Sequence, residues 1–379
     1  MKIAYVMNSF DFSDVRKAHG VGHYIVKNIK KLGNDVYLFG GENHFSEYYF
    51  KAKQLAYKIK GENYLRHRSP ALLKTQTKNI KKEIEKLNPD IILSFGSLPI
   101  SLIETNIPKF FWTDATFDGI RNYNEFYKNL TKETIDDGNY LEQKALTDST
   151  LCFFASEWAR NSAIENYDVD PEKLIVSNLG ANLDTGRNES EVENLIQERM
   201  EKRLKLLFVG KNWKWKGGQI LLNIFREVRN NIKNAELNIV GCSPSINDKN
   251  INVFGLIDNR QKEGKEQIDR LFSEASFFVL PTRFESYGHV FCEANSFGVP
   301  NLAPDTGGIS TIIKSGKNGY LFDYDASPKE YADRIIEIWS EKEKYKALCL
   351  SSFHEYKTRL NWEVATKKVL DEINNVLNK

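Results

Sequence analysis

Short apolar runs recur along the chain at helix-length intervals, in two series separated by a polar break. In the first series, Lys2–Met7 and residues 35–39 read as buried strands. Between them residues 22–32 read as a helix, with Tyr24, Ile25, Ile29 and Leu32 on one face. Residues 90–94, 109–112, 150–156 and 175–177 continue the strands, and 157–167 is a further helix. Around residues 184–202 the pattern turns polar and charged, which predicts a linker and a helix at a domain boundary. The second series then runs through Lys205–Val209, Glu236–Val240 and residues 251–254, 277–281, 300–303 and 320–322. Strands alternating with helices need crossover connections, and crossovers give parallel sheets.

The expected architecture is α/β, with two Rossmann-like domains facing across a cleft. Residues 1–185 form the first domain and residues 200–360 the second. Residues 361–377 are an amphipathic helix carrying Trp362, Val364, Val369, Leu370, Ile373 and Val376, and the stretch 361–379 is expected to cross back to the first domain. Sheets of this kind offer the carboxyl ends of their strands to ligands. With 379 residues, 41% of them hydrophobic, the chain has material for two cores. A net charge of +2 gives no global attraction for nucleic acid. Cys152, Cys242, Cys292 and Cys349 form no CxxC pair, so they read as buried, reduced thiols of a cytosolic protein. The chain opens directly on a strand rather than a signal peptide, and no run of 18 apolar residues occurs. A cytoplasmic protein is expected, with peripheral contact at the inner face of the membrane left open.

The chemistry concentrates in residues 277–300. A buried strand runs into a polar loop with Glu285, then a helix opens at Gly288 and stops at Gly298-Val-Pro300. Glycine lets the backbone approach a ligand, and amides at a helix start favour an anion such as a diphosphate. Glu293 follows at helical spacing to face the same ligand, so the two carboxylates can hold hydroxyls at two ends of one molecule. In Leu206-Leu-Phe-Val-Gly-Lys-Asn-Trp-Lys-Trp-Lys-Gly-Gly218 a strand ends at Gly210, and Lys211 and Lys216 follow in a loop. Two ammonium groups there would neutralise a leaving nucleotide diphosphate. Trp213 and Trp215 read either as packing or as acceptor-facing.

The segment Glu285 to Glu293 resembles the Glu-x7-Glu motif of retaining GT-B glycosyltransferases of family 4, the group 1 glycosyl transferases. The resemblance implies that Glu285 contacts the donor sugar and Glu293 binds the ribose hydroxyls. The amides of Tyr287, Gly288, His289 and Val290 would then face the sugar and phosphates. Lys216-Gly217 matches the family's Lys-Gly, while Lys211 stands where the family has Arg and cannot make the bidentate fork. Asn252-Val-Phe-Gly-Leu256 resembles the segment whose backbone reads the base, and Asp305–Ile309 and Asn318–Phe322 match later family segments. The resemblance implies a hexose from a nucleotide-sugar co-substrate, most often UDP-linked, passed to a glycan, a lipid-linked or another hydroxyl acceptor. No metal is implied, since the lysines take its place.

In the first domain the resemblance is thinner. Gly20-Val-Gly22-His-Tyr24 resembles the family's glycine-rich donor loop, although the same glycines also ease a turn. Many family members carry a His after the strand at 109–112; here Thr113 and Asp114 stand instead. Asp114 could bond a sugar hydroxyl, take the acceptor proton, or cap the next turn. Residues 51–82 carry ten Lys and Arg against Glu62 alone, with Tyr57, Tyr64 and Leu65 interleaved. Such a stretch suits an anionic lipid or glycan, or is a solvated helix pair. The competing readings are a sugar-nucleotide epimerase or hydrolase of the same fold and a non-catalytic nucleotide-sugar binder. A dehydrogenase lacks its Gly-x-Gly-x-x-Gly.

Overall fold

A computed structural model describes residues 1–7, 20–40, 47–123, 125–183 and 185–378. The polar loop between the first strand and Gly20, and Asp184 of the expected linker, lie outside the described residues. The chain divides into two units, Met1–Asn178 with Ala365–Lys379, and Leu179–Val364.

The first unit carries β1 (Lys2–Met7), α1 (Val21–Lys31), β2 (Asp35–Gly40), α2 (Glu47–Ile59), α3 (Pro70–Leu87) and β3 (Ile91–Phe95). It continues with β4 (Lys109–Thr113), α4 (Phe117–Tyr123), α5 (Lys132–Asp148), β5 (Leu151–Phe154), α6 (Glu157–Asn166) and β6 (Leu174–Val176). All six strands are parallel, in the order β2-β1-β3-β4-β5-β6. The inner strands read as unbroken apolar runs because helices cover both faces of such a sheet. Ala4, Val6, Ile92, Phe111 and Phe154 of the sheet pack with Ile80 and Ile84 of α3 and Leu146 of α5. Side-chain caps set the helix starts: Thr131 accepts from the Thr134 N–H at 3.1 Å and Ser156 from Ala159 at 3.2 Å. In α1 the buried face is Val21, Gly22, Ile25 and Ile29; Tyr24 is only partly buried, and Leu32 stands past the helix end.

The second unit opens with α7 (Glu189–Glu201), β7 (Lys205–Val209), α8 (Gly218–Asn231), β8 (Glu236–Val240), β9 (Ile251–Gly255) and α9 (Lys262–Glu274). Then come β10 (Phe277–Val279), α10 (His289–Asn295), β11 (Asn301–Pro304), α11 (Ile309–Ile312), β12 (Gly319–Phe322), α12 (Pro328–Ser340) and α13 (Lys342–Arg359). The sheet is again parallel, in the order β12-β11-β10-β7-β8-β9. Capping boxes, Asn188 with Glu191 and Ser327 with Glu330, start α7 and α12. β10 is shorter than the sequence suggests, since the Leu280 N–H still reaches Leu302 O at 3.0 Å but Pro281 has none to give. Arg199 of α7 is 1% exposed and donates to the carbonyls of Ser273, Phe297 and Gly298, at 2.7, 2.6 and 3.1 Å. Those carbonyls end α9 and follow α10, so one guanidinium satisfies acceptors that a helix end leaves open.

The last helix, α14 (Trp362–Leu377), starts in the second unit and passes into the first at Ala365. There Lys368 donates to Val176 O at 2.6 Å. Cys152, Cys292 and Cys349 are buried, and Cys242 is only partly so, unlike the four buried thiols expected. Burial pushes Cys152 and Cys292 up to about 12 and Cys349 up to about 11, which leaves them as neutral apolar side chains. Among the described residues, no helix is long and apolar enough to cross a membrane.

Candidate active site

The carboxyl end of β7 builds the first half of the site. A Cβ at Gly210 would lie 3.0 Å from Lys216 Cγ, so glycine there makes room for the lysine stem. Lys216 forms an ion pair with Glu285 and donates to Phe284 O at 3.4 Å. The loop between is tied back on itself by Asn212, whose Oδ1 accepts from Trp215 N at 2.9 Å. Trp215 O in turn accepts from Arg283 N at 2.9 Å, which joins the lysine loop to the glutamate loop. Gly217 has φ 75°, and a Cβ there would lie 1.8 Å from Pro281 O. Only glycine fits that approach. Trp213 packs edge-on to Phe208 and covers Gly218, so it is a packing residue. Lys211 is exposed at the head of the loop.

Glu285 and Glu293 flank the start of α10. Gly288 adopts φ 102°, and a Cβ there would lie 2.6 Å from the Phe291 ring. Phe291, Cys292 and Ala294 point into the core, which turns Glu293 outward while keeping it partly buried. That burial pushes the Glu293 carboxyl up to about 7, against the opposing effect of an N–H bond from Asn182. Tyr287 is buried, its hydroxyl donating to Leu179 O at 2.6 Å, so it has only its backbone to offer a ligand. His289 and Val290 begin α10 and are partly buried.

Three neighbouring strands, β7, β8 and β9, close on glycines. Gly210 N bonds Val240 O at 2.9 Å, and Gly241 N bonds Gly255 O at 2.7 Å. These glycines leave that edge of the sheet without side chains of their own. Leu256 follows it, 73% exposed. Among the described residues, no group of three or more His, Cys, Asp or Glu side chains is placed to hold a metal ion.

In the first unit, Gly20 has φ 81° and heads α1. A Cβ at Gly22 would lie 2.9 Å from the Met7 sulfur, so this glycine also serves the packing of α1 on β1. Asp114 follows β4, partly buried. At the start of α4, Thr116 Oγ1 accepts from Gly119 N at 3.1 Å. Sequence reading missed what braces this loop. Glu142 is buried, accepts from Ser97 Oγ at 2.8 Å and from the Phe117 N–H, and lies 4.0 Å from Arg68. Arg68 stacks over the Phe117 ring at 4.1 Å. Burial raises the Glu142 carboxyl above its ordinary value, opposed by Arg68.

The basic stretch 51–82 spans α2 and α3. Its interleaved aromatics turn inward: Tyr64 is buried and Tyr57 stacks on it at 5.5 Å. Other apolar residues of α2 face out instead, with Tyr48 67%, Tyr49 66%, Leu55 60% and Ile59 80% exposed. Tyr48, Leu55 and Ile59 recur at helical spacing, with Lys51 and Lys58 beside them.

Residues 191–349, all within the second unit, match the family model for glycosyl transferases group 1, a domain of transferase enzymes. An uncharacterized 41.2 kDa protein of the cps region of Klebsiella pneumoniae is 26% identical over 54% of this chain and 57% of its own length. The chain spans about half the length of the curated relatives it matches. Among solved structures, sucrose-phosphate synthase from Thermosynechococcus elongatus aligns with a TM-score of 0.69 at 14% identity, covering 99% of each chain. The Anabaena protein HepE, solved in complex with UDP and glucose, aligns at 0.64 and 13% identity, covering 99% of each. The fold is that of the GT-B glycosyltransferases.

Proposed function

We propose that this chain is a family 4 glycosyltransferase that moves a hexose from a UDP-linked donor to a hydroxyl acceptor, with retention at the anomeric carbon and without a metal. The observation that carries the reading is the joining of Lys216 and Glu285 by ion pair and loop contacts, with Glu285 in the loop before α10 rather than at helical spacing and Glu293 within α10 itself. A cation held against a carboxylate at a glycine-lined sheet edge suits a group that is both anionic and hydroxylated. A sugar diphosphate is such a group. Lys216 and the exposed Lys211 would face the diphosphate, Glu285 the sugar hydroxyls and Glu293 the ribose. The backbone at Leu256 would take the base.

In the reaction, the bond from the anomeric carbon to the diphosphate oxygen breaks through an oxocarbenium-like state. The acceptor oxygen bonds the same face of the carbon and gives its proton to the departing phosphate. The products are a glycoside and a nucleoside diphosphate. Retention then needs no carboxylate nucleophile, in contrast to retaining glycosidases. Asp114 is the acceptor-side candidate in the first unit. The exposed apolar and lysine face of α2 supports a lipid-linked acceptor and a place at the inner membrane surface.

The test is a thermal-shift panel of UDP, GDP, ADP, CMP and dTDP, followed by turnover of the matching sugar nucleotide with and without acceptors. Stabilisation of about 2.7 kcal/mol is expected from a ligand at a hundred times its Kd. Sugar transfer with retained configuration supports the proposal. Release of free sugar or an epimer without acceptor would favour the hydrolase or epimerase reading, and binding without any turnover the non-catalytic one.

A further inference from the structure

Four consecutive residues, Leu179 to Asn182, run along the segment that carries the Glu-x7-Glu pair. Each is bonded within the second unit. Leu179 O accepts from the Tyr287 hydroxyl at 2.6 Å. Gly180 O accepts from His289 Nδ1 at 2.9 Å, which fixes the ring proton on that nitrogen. Ala181 N donates to Leu360 O at 3.1 Å, and the Asn182 N–H bonds the Glu293 carboxylate. Trp362 closes the arrangement. Its indole N–H donates to Asn182 Oδ1 at 2.9 Å, and its ring stacks on His289 with centroids 5.9 Å apart. A Cβ at Gly180 would lie 2.3 Å from the Trp362 backbone nitrogen, so the segment and the tryptophan are in contact with no space between them. A segment that merely joined two units would leave its polar groups to water.

We infer that Asn182 and Trp362 are positioning residues for Glu293, so that the connecting segment helps set how tightly the ribose diol of a nucleoside diphosphate is held. The inference rests on the assignment of Glu293 to the ribose. A carboxylate turns easily about its terminal torsion. To hold two vicinal hydroxyls it must present both oxygens in one orientation, and orientation fixed before binding is not lost on binding. The Asn182 N–H supplies that fixation at one oxygen. It stays in place because the Asn182 side chain is anchored by the indole.

The experiment is calorimetric titration of the full chain with UDP, GDP and ADP, each beside its 2′,3′-dideoxy analogue. Wild type is expected to prefer the ribose form of at least one base, and Glu293→Gln to abolish that preference. Trp362→Phe, which keeps the ring stack but removes the N–H, should reduce the preference about three- to tenfold, as expected for one lost hydrogen bond. Asn182→Ala should do the same, and the double variant should lose no more than either alone. Affinity for the dideoxy form should stay constant throughout, which also reports an intact fold. If Glu293→Gln removes the preference while both other variants keep it, the positioning role is overturned and the ribose assignment stands. If wild type shows no preference, or Glu293→Gln leaves it unchanged, the ribose assignment itself fails and takes the inference with it.

Discussion

Lys216 is where a single side chain should matter most. It is ion-paired with Glu285 of the motif, and electrostatic stabilisation of a leaving group is lost in the barrier rather than in binding. Lys216→Ala is expected to lower kcat by about 10²–10³-fold, the range for removing one transition-state donor. Steady-state kinetics with the matched donor checks this, and an unchanged kcat would remove Lys216 from the mechanism. Glu293 gives a pH signature. Its carboxyl is raised to about 7 from an ordinary 4.5, so the folded state favours the proton. The stability tied to this group is complete below about pH 4.5 and is lost as pH rises through 7. Glu293→Gln escapes that loss, so its melting temperature relative to wild type should climb between pH 5 and pH 8; a constant difference would contradict the raised carboxyl. Both glutamates and Lys216 were legible as candidates because the motif spaces them. Their pairing was not, since Lys216 and Glu285 lie 69 residues apart and meet only through the fold. The bond between Trp362 and Asn182, 180 residues apart, was not legible either, since Trp362 read only as an apolar helix position.

Among the elements, strands buried on both faces were the most readable. β7 and β8 fall on the residues expected, because apolar runs bounded by polar residues leave little choice of register. Strand ends at prolines were misread: Pro281 and Pro300 look apolar but cannot donate to a ladder. The loop between β7 and α8 depends on Gly217, whose φ and approach to Pro281 O exclude a side chain. Gly217→Ala should therefore separate the lysine loop from the glutamate loop, with loss of donor turnover exceeding any loss of melting temperature. Arg199 works differently. It holds α7 to the ends of α9 and α10 through three carbonyl acceptors, two of them in fully buried bonds. Arg199→Met keeps the apolar stem but leaves the carbonyls unsatisfied, at a cost of about 3 kcal/mol or more. A urea titration would show it as a lower midpoint with an unchanged slope.

For the molecule as a whole, charge is a matter of placement rather than total. The net +2 is nearly neutral, yet α2 and α3 collect lysines beside exposed Tyr48, Tyr49, Leu55 and Ile59. Co-sedimentation with phosphatidylglycerol vesicles is expected at low salt and should weaken as salt rises, by about 1 kcal/mol for each surface lysine replaced by glutamine. Vesicle binding that ignores salt and lysine number would remove the electrostatic part of that account. The two-series alternation made the two sheets legible in advance, whereas the outward face of α2 was not, because the sequence drew attention to Tyr57 and Tyr64, which fold inward. The division of the chain also bears on how it is made. The first unit is discontinuous: Met1–Asn178 is joined by Ala365–Lys379, while the second is one uninterrupted stretch. A ribosome releases residues in order, and domains fold as they emerge. The second unit can close while the earlier one still lacks the helix that bonds Val176, so the half synthesised first is the half finished last.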